Sequence, residues 1–173
     1  MKNILVIGAG SVGGFFGAHL AKSNPNVSFL LRPKTLAAVK QNGLTIRSAS
    51  GTFTVHPQAA SDVRDLPKPD LIILGVKAFD IDEVMRQIEP VLTEKTVILT
   101  LQNGIDTEDR IIARTTRDCV VGGVAFIYSK IAAPGVIDHY KKGAVAIGEL
   151  MGHESDRLLK IKDLFTAAGI PCH

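Results

Sequence analysis

Residues 4–17 read ILVIGAGSVGGFFG, and this short stretch is the most informative part of the sequence. The apolar run Ile4 to Ile7 is typical of a strand buried on both faces of a parallel sheet. Glycines follow it in the spacing G-x-G-x-x-G, at Gly8, Gly10 and Gly13. A glycine loop between a buried strand and a helix is the arrangement that holds the pyrophosphate of a dinucleotide. The stretch therefore predicts a dinucleotide-binding βα unit. The alternative is a glycine-rich turn that only permits close packing.

An export signal is the main alternative for the same residues, because Lys2 precedes an apolar segment rich in small residues. Each glycine costs a helix roughly 1 kcal/mol relative to Ala, so a segment this rich in glycine makes a poor signal helix. Cys119 and Cys172 show no spacing typical of a disulfide framework. We therefore predict a cytoplasmic protein with reduced thiols.

The composition excludes several classes of protein. The chain has 173 residues, of which 46% are hydrophobic and 21% charged, as in one soluble globular domain. Its net charge of +3 comes from dispersed Lys and Arg, so we predict no nucleic-acid partner. No apolar run reaches the roughly 18 residues of a membrane-spanning helix. The His residues are scattered, so we predict no metal site.

Buried strands alternate with helices along the first two-thirds of the chain. The predicted strands are 4–7, 27–31, 71–76, 97–101 and 119–126. A hairpin is predicted at 44–46 and 53–55, and an antiparallel pair at 136–140 and 144–149 around Lys142-Gly143. Asp80 and Glu83 have the spacing of a capping box before a helix at 81–89. The pattern predicts an α/β, Rossmann-type, doubly wound and mostly parallel sheet with extra antiparallel edge strands.

The end of the second strand bears on the choice of cofactor. NAD-binding versions of the fold place an acid there for the ribose 2′-hydroxyl, whereas this chain has Arg32-Pro33-Lys34. A guanidinium pairs bidentately with a phosphate, so Arg32, with Lys34 as a second candidate, favours NADP over NAD. The alternative is that both are ordinary solvated charges at a strand end.

Two further polar residues follow predicted strands. Lys77 lies in GVKAF and Asn103 in LQNG, and both sequences come at the carboxyl ends of strands, where ligands bind in open α/β sheets. An ammonium and a carboxamide there could hydrogen-bond ribose hydroxyls or a substrate carbonyl. Spacing alone favours ordinary roles, with Lys77 as a solvated charge and Asn103-Gly104 as a turn. Their shared position at strand ends is what makes them candidates.

An ordered set of motifs resembles the ketopantoate reductase (2-dehydropantoate 2-reductase) family. The set is GAGSVG, LLRP, GVKAFD, LQNG and APGVIDH. The resemblance implies NADPH-dependent reduction of 2-dehydropantoate, a small 2-keto acid, to pantoate on the route to pantothenate and coenzyme A. It implies supporting catalytic roles for Lys77 and Asn103 near the nicotinamide. The implied cofactor-binding residues are Gly8, Ala9, Gly10, Ser11, Val12, Gly13, Arg32, Lys77 and Asn103.

The resemblance also implies a second, helical domain that carries the general-acid lysine. Residues 1–173 correspond to the NADP-binding domain, so we assign the general acid to no residue here and expect little or no turnover by this chain alone. We also expect apolar surface at the carboxyl edge of the sheet, where the second domain would lie. Two alternatives stay open: a related reductase of another 2-keto acid, and a stand-alone NADP-binding module without catalysis. A homo-oligomer is compatible with the family, and the sequence does not fix the oligomeric state.

Overall fold

The structure is a computed structural model that describes residues 1–104 and 106–173. The helices are α1 (Ser11–Ser23), α2 (Pro33–Asn42), α3 (Ile81–Ile88), α4 (Thr107–Ile112) and α5 (Asp156–Ala167). The strands are β1 (Ile4–Ile7), β2 (Val27–Leu30), β3 (Leu44–Ser48), β4 (Gly51–Val55), β5 (Gln58–Ala60), β6 (Leu71–Leu74), β7 (Val97–Thr100), β8 (Val120–Ala133) and β9 (Val136–Glu149).

The described strands form one sheet in the order β4-β3-β9-β8-β7-β6-β1-β2-β5. Each adjacent pair of strands from β5 to β8 in this order is parallel. At the other end, β9 is antiparallel to β8 and β4 is antiparallel to β3. The predicted fold class, a mostly parallel doubly wound sheet with antiparallel edge strands, is therefore confirmed.

Helices cover both faces of the sheet, and every residue of β1 is therefore buried. Ile4 and Val6 pack in one apolar cluster with α1 and α5, whereas Leu5 and Ile7 pack in a second cluster with α3 and α4. Alternate residues of one short strand thus serve two cores, which explains the unbroken apolar run in the sequence. None of the helices described is long and apolar enough to cross a bilayer.

The predicted antiparallel pair at 136–140 and 144–149 is wrong. Both segments belong to the single strand β9, which pairs with β8 along its length. Lys142 and Gly143 have φ of +63° and +116°, and the register shift beside them marks a β-bulge. The chain reverses at Pro134-Gly135 instead, where Gly135 has φ of +78°. Strand β8 is accordingly longer than the predicted 119–126.

Candidate functional site

The glycine loop joins β1 to α1 at the carboxyl edge of the sheet. Gly8 has φ of +86°, a left-handed conformation that glycine adopts without strain. Helix α1 begins at Ser11, has no side-chain cap at Gly10 and has no acidic residue in its first turn. The backbone N–H groups at the start of a helix lack partners within the helix and lie at the positive end of its dipole. Those around Ser11 and Val12 are therefore suited to hold phosphate oxygens.

Gly10 and Gly13 have different surroundings. A Cβ atom on Gly13 would lie 2.5 Å from the Gly8 carbonyl oxygen and 2.9 Å from Gly75 Cα, so α1 packs there directly on the backbone after β6. A Cβ on Gly10 would come no closer than 3.7 Å to the Gly75 carbonyl oxygen, its nearest neighbour. Gly13 thus serves packing, whereas Gly10 leaves its backbone open on one side for a phosphate.

The loop lies where the order of the strands reverses. Strand β1 has β2 on one side and β6 on the other, and the chain proceeds outward from it in both directions. The amide of Gly8 donates to the Leu30 carbonyl and that of Gly75 to the Ile7 carbonyl, each at 3.0 Å, which ties the three strand ends together. A crevice outside such a reversal is the usual ligand site of a doubly wound sheet.

Arg32 follows β2 and occupies the N-cap position of α2. Its side chain is 77% exposed, and its Nη2 donates to Asp80 Oδ1 at 2.7 Å. An acid therefore does lie close to the end of β2, but it comes from the loop that follows β6. Reasoning from the sequence missed this partner because the two residues are 48 positions apart.

The capping box predicted at Asp80 and Glu83 is absent from the structure. Asp80 has helical backbone angles at the end of a 3₁₀ turn, and its side chain makes no capping hydrogen bond. Glu83 instead accepts from Arg86 and Gln87 on its own helix. The Asp80 carboxylate is therefore turned towards Arg32 rather than towards the start of α3.

Lys77 and Asn103 lie in neighbouring loops at the ends of β6 and β7. Both are exposed, and the loops are adjacent, since Gln102 of the second donates to the carbonyl of Leu74, where the first begins, at 2.8 Å. Arg110 of α4 stabilises the loop after β6, because its Nη1 donates to the Ala78 carbonyl at 2.8 Å. The structure thus brings the two predicted residues to one edge of the sheet.

Arg110 and Gln102 are additional residues that the sequence did not single out. Arg110 also pairs with Asp82 at 2.7 Å and keeps the pKa of that carboxyl below its ordinary value through the hydrogen bond. Gln102 donates to the Leu74 carbonyl at 2.8 Å, and its buried Oε1 has no partner among the residues described. This unused acceptor lies beside Asn103, at the edge where a bound ligand could supply a donor.

A cavity of about 720 Å³ lies away from these residues. It is lined by α1, the β3–β4 hairpin, β9 and the last residues of the chain, including Phe15, His19 and His139. Burial lowers the pKa of the His19 imidazole, and Lys22 and His139 add to the effect. No residue predicted to bind the cofactor lines this cavity, so it is separate from the glycine loop.

Apolar side chains project beyond the carboxyl edge. Strand β8 pairs with β7 only at Val120 and Val121, and its remaining residues extend past the end of β7. Along this extension Phe126, Tyr128 and Ile131 are exposed. These exposed side chains lie at the carboxyl edge, where apolar surface is expected if a second domain covers it.

The parallel sheet, the glycine loop and the crevice at the strand reversal define a Rossmann-type α/β domain. Its residues fit a dinucleotide, because the start of α1 is open and a cation follows β2. A sequence profile described as "Ketopantoate reductase PanE/ApbA" matches residues 4–152. The chain belongs to this family of oxidoreductases.

Individual relatives agree with the family assignment. A 2-dehydropantoate 2-reductase of Nostoc sp. is 32% identical over 176 residues, which cover 98% of this chain and 54% of that protein. The solved 2-dehydropantoate 2-reductase of Geobacter metallireducens has a TM-score of 0.92 and 33% identity, over 99% of this chain and 57% of the other. D-mandelate dehydrogenase, solved with NADH and anilino(oxo)acetate, has a TM-score of 0.88 and 25% identity, over 99% of this chain and 56% of the other. The chain thus spans about half the length of the relatives it matches.

Proposed function

We propose that this chain binds NADPH and is the cofactor-binding part of an enzyme that reduces 2-dehydropantoate to pantoate, a step of pantothenate and coenzyme A biosynthesis. The observation that supports it most is the placement of Arg32 two residues after β2, the strand that pairs with β1 and so lies next to the one leading into the glycine loop. In this fold the ribose of the adenosine lies at the end of β2, where a guanidinium can pair with a 2′-phosphate. The family match supports the reaction and the substrate.

Each part of the site has a separate task in this proposal. The N–H groups at the start of α1 bind the pyrophosphate, and Gly10 allows it to approach the backbone. Arg32 binds the 2′-phosphate. Lys77 and Asn103 hydrogen-bond at the nicotinamide end and orient cofactor and substrate. The bound cofactor supplies a hydride to the keto carbon of the substrate.

The developing alkoxide also requires a proton. A general acid must lie within hydrogen-bond reach of the oxygen that receives it. We assign this role to a residue of the helical domain that the family resemblance implies, and to no residue of the 173 present here. This chain alone is therefore expected to bind cofactor with little or no turnover, and ketopantoate reduction by the purified chain would contradict that.

Titration of the chain with NADPH and NADH tests the choice of cofactor. Cofactor fluorescence is a suitable signal because the sequence contains no Trp. We expect NADPH to bind at least tenfold more tightly, a difference of about 1.4 kcal/mol. Arg32→Ala should abolish this preference, because it removes the cation that pairs with the 2′-phosphate.

Arg47→Ala is a matched control for that variant. Arg47 is also exposed and also pairs with an aspartate at 2.7 Å, but it lies on β3 at the far end of the sheet. It should leave both dissociation constants unchanged. Equal affinity for the two cofactors, or tighter binding of NADH, would refute the preference for NADPH. Absence of binding by either would refute the cofactor-site proposal for this chain.

Gly10→Ala separates ligand binding from folding. The added Cβ has space in the protein, with its nearest neighbour at 3.7 Å, but it projects from the backbone that faces the phosphates. We expect both NADPH and NADH to bind about tenfold more weakly, or by about 1.4 kcal/mol, while the urea midpoint of unfolding stays the same. Unchanged affinity would mean that the loop is only a turn.

A reductase of another 2-keto acid is the second candidate function. The relation to D-mandelate dehydrogenase supports it, since that protein was solved with NADH and anilino(oxo)acetate. In the proposed arrangement this chain supplies few of the residues that grip the substrate. Comparing the rates of reduction of 2-dehydropantoate, benzoylformate and other 2-keto acids by the full-length protein distinguishes the two functions.

We place the protein in the cytoplasm. Cys119 and Cys172 are both free thiols in the structure. Burial raises the pKa of the Cys172 thiol, so it remains protonated and unreactive. Fractionation of cells that express the natural gene, followed by immunoblotting, tests this location.

A further inference from the structure

The pairing of Arg32 with Asp80 bears on cofactor selectivity. A guanidinium favours a 2′-phosphate, whereas a carboxylate repels it and accepts a hydrogen bond from a 2′-hydroxyl. Rossmann-type domains usually take one or the other from the residues after β2. This chain has both, with the cation after β2 and the anion after β6, and their side chains meet at 2.7 Å.

The two side chains differ in their freedom to move. Arg32 is 77% exposed, whereas Asp80 is 21% exposed and is held in a 3₁₀ turn whose amide bonds to the Lys77 carbonyl. Nη2 of Arg32 contacts the carboxylate, and the other N–H groups of the fork have no partner among the residues described, so they are available to a ligand. A 2′-phosphate can therefore bind Arg32, but it must do so close to a fixed negative charge.

We infer that Asp80 is a specificity-determining residue that limits the preference for NADPH and allows NADH to bind. With NADPH, the 2′-phosphate and the carboxylate compete for Arg32 and repel each other. With NADH, the carboxylate accepts a hydrogen bond from the ribose 2′-hydroxyl. This inference rests on the proposed function, because it requires the adenosine ribose to lie beside Arg32.

Asp80→Asn tests the inference, because it removes the charge and keeps the shape. We expect the dissociation constant for NADPH to fall about tenfold and that for NADH to stay the same or rise, so their ratio changes at least tenfold. The measurement is the fluorescence titration of the purified chain, which does not depend on turnover. Asp80→Ser, which also removes the charge, should move the ratio in the same direction.

Asp138→Asn is the matched control. Asp138 has the same side-chain exposure of 21% and the same 2.7 Å contact with an arginine, but it lies on β9. It should leave the ratio of the two constants unchanged. Asp80 variants that bind both cofactors with the wild-type ratio would overturn the inference and leave the proposed cofactor site intact. Failure of the wild-type chain to bind either cofactor would overturn both.

Discussion

Gly13→Ala is expected to lower the free energy of unfolding by about 2 kcal/mol, the net of an overpacking cost of about 3 kcal/mol, at the upper end of the usual range, and a smaller gain in helix propensity. The new Cβ would lie 2.5 Å from the Gly8 carbonyl oxygen and 2.9 Å from Gly75 Cα. Both are backbone atoms, which cannot rotate away as a side chain can. Alanine favours a helix over glycine by about 1 kcal/mol, which offsets only part of the cost.

Gly10→Ala is the control for this prediction, and urea unfolding of the two variants is the measurement. Each substitution adds one methyl group to the glycine motif, at the N-cap of α1 for Gly10 and in its first turn for Gly13, but only the Cβ on Gly13 meets backbone at less than 3.0 Å. Gly13→Ala should unfold at lower urea, and displacement of α1 from the strand ends should also weaken cofactor binding. Equal midpoints for the two variants would show that α1 does not need this close approach to the backbone after β6.

The parts of the fold that depend on local sequence could be predicted. The run Ile4 to Ile7 predicts a strand buried on both faces, and the glycines after it predict the turn into α1. The structure has both, because a buried parallel strand needs apolar residues on each face and the turn needs positive φ at Gly8. The hairpin of β3 and β4 follows in the same way from alternating residues around Ser50-Gly51.

Pairing between distant segments could not be predicted. Lys142-Gly143 and Pro134-Gly135 both contain the signal of a turn, and the sequence does not show which of them reverses the chain. Only the pairing of β9 with both β8 and β3 makes Gly143 a bulge and Gly135 the turn. Tertiary contacts thus override a local preference that is the same at the two positions.

In the candidate site, too, residues placed by local sequence could be predicted, whereas a contact between distant segments could not. Arg32, Lys77 and Asn103 could be singled out because each comes within two residues of the end of a predicted strand, and parallel strands end at one edge. Asp80, in contrast, could either cap the following helix or pair with a charge in a distant segment, and the residues around it do not distinguish the two. Its pairing with Arg32 depends on the order β6-β1-β2 in the sheet, which brings the loops after β6 and β2 together. Local sequence around Asp80 carries no signal of that order.

A second salt bridge between distant segments, from α5 to the end of β9, could not be predicted from local sequence either. The side chain of Glu149 is only 3% exposed and accepts two hydrogen bonds from Arg157, from Nε at 2.7 Å and from Nη2 at 2.5 Å. Arg157 also donates to the Asp118 carbonyl, and Ser155, the N-cap of α5, donates to Glu149 at 2.5 Å. The arginine thereby links α5 to the start of β8 and the end of β9.

Arg157→Ala should therefore lower the free energy of unfolding by about 3 kcal/mol near neutral pH, because it leaves a buried carboxylate without its cation. The hydrogen bond from Arg157 lowers the pKa of Glu149 below its ordinary value of 4.5, so the pair stabilises the fold above that pH and loses its effect as the pH falls through the lowered value. The difference between wild type and variant should thus shrink in acid, as urea unfolding at several pH values can show. Arg64→Ala, which breaks the exposed pair with Asp62, should stay close to wild type at neutral pH. A loss that is the same at every pH would mean that Arg157 acts through packing rather than through its charge.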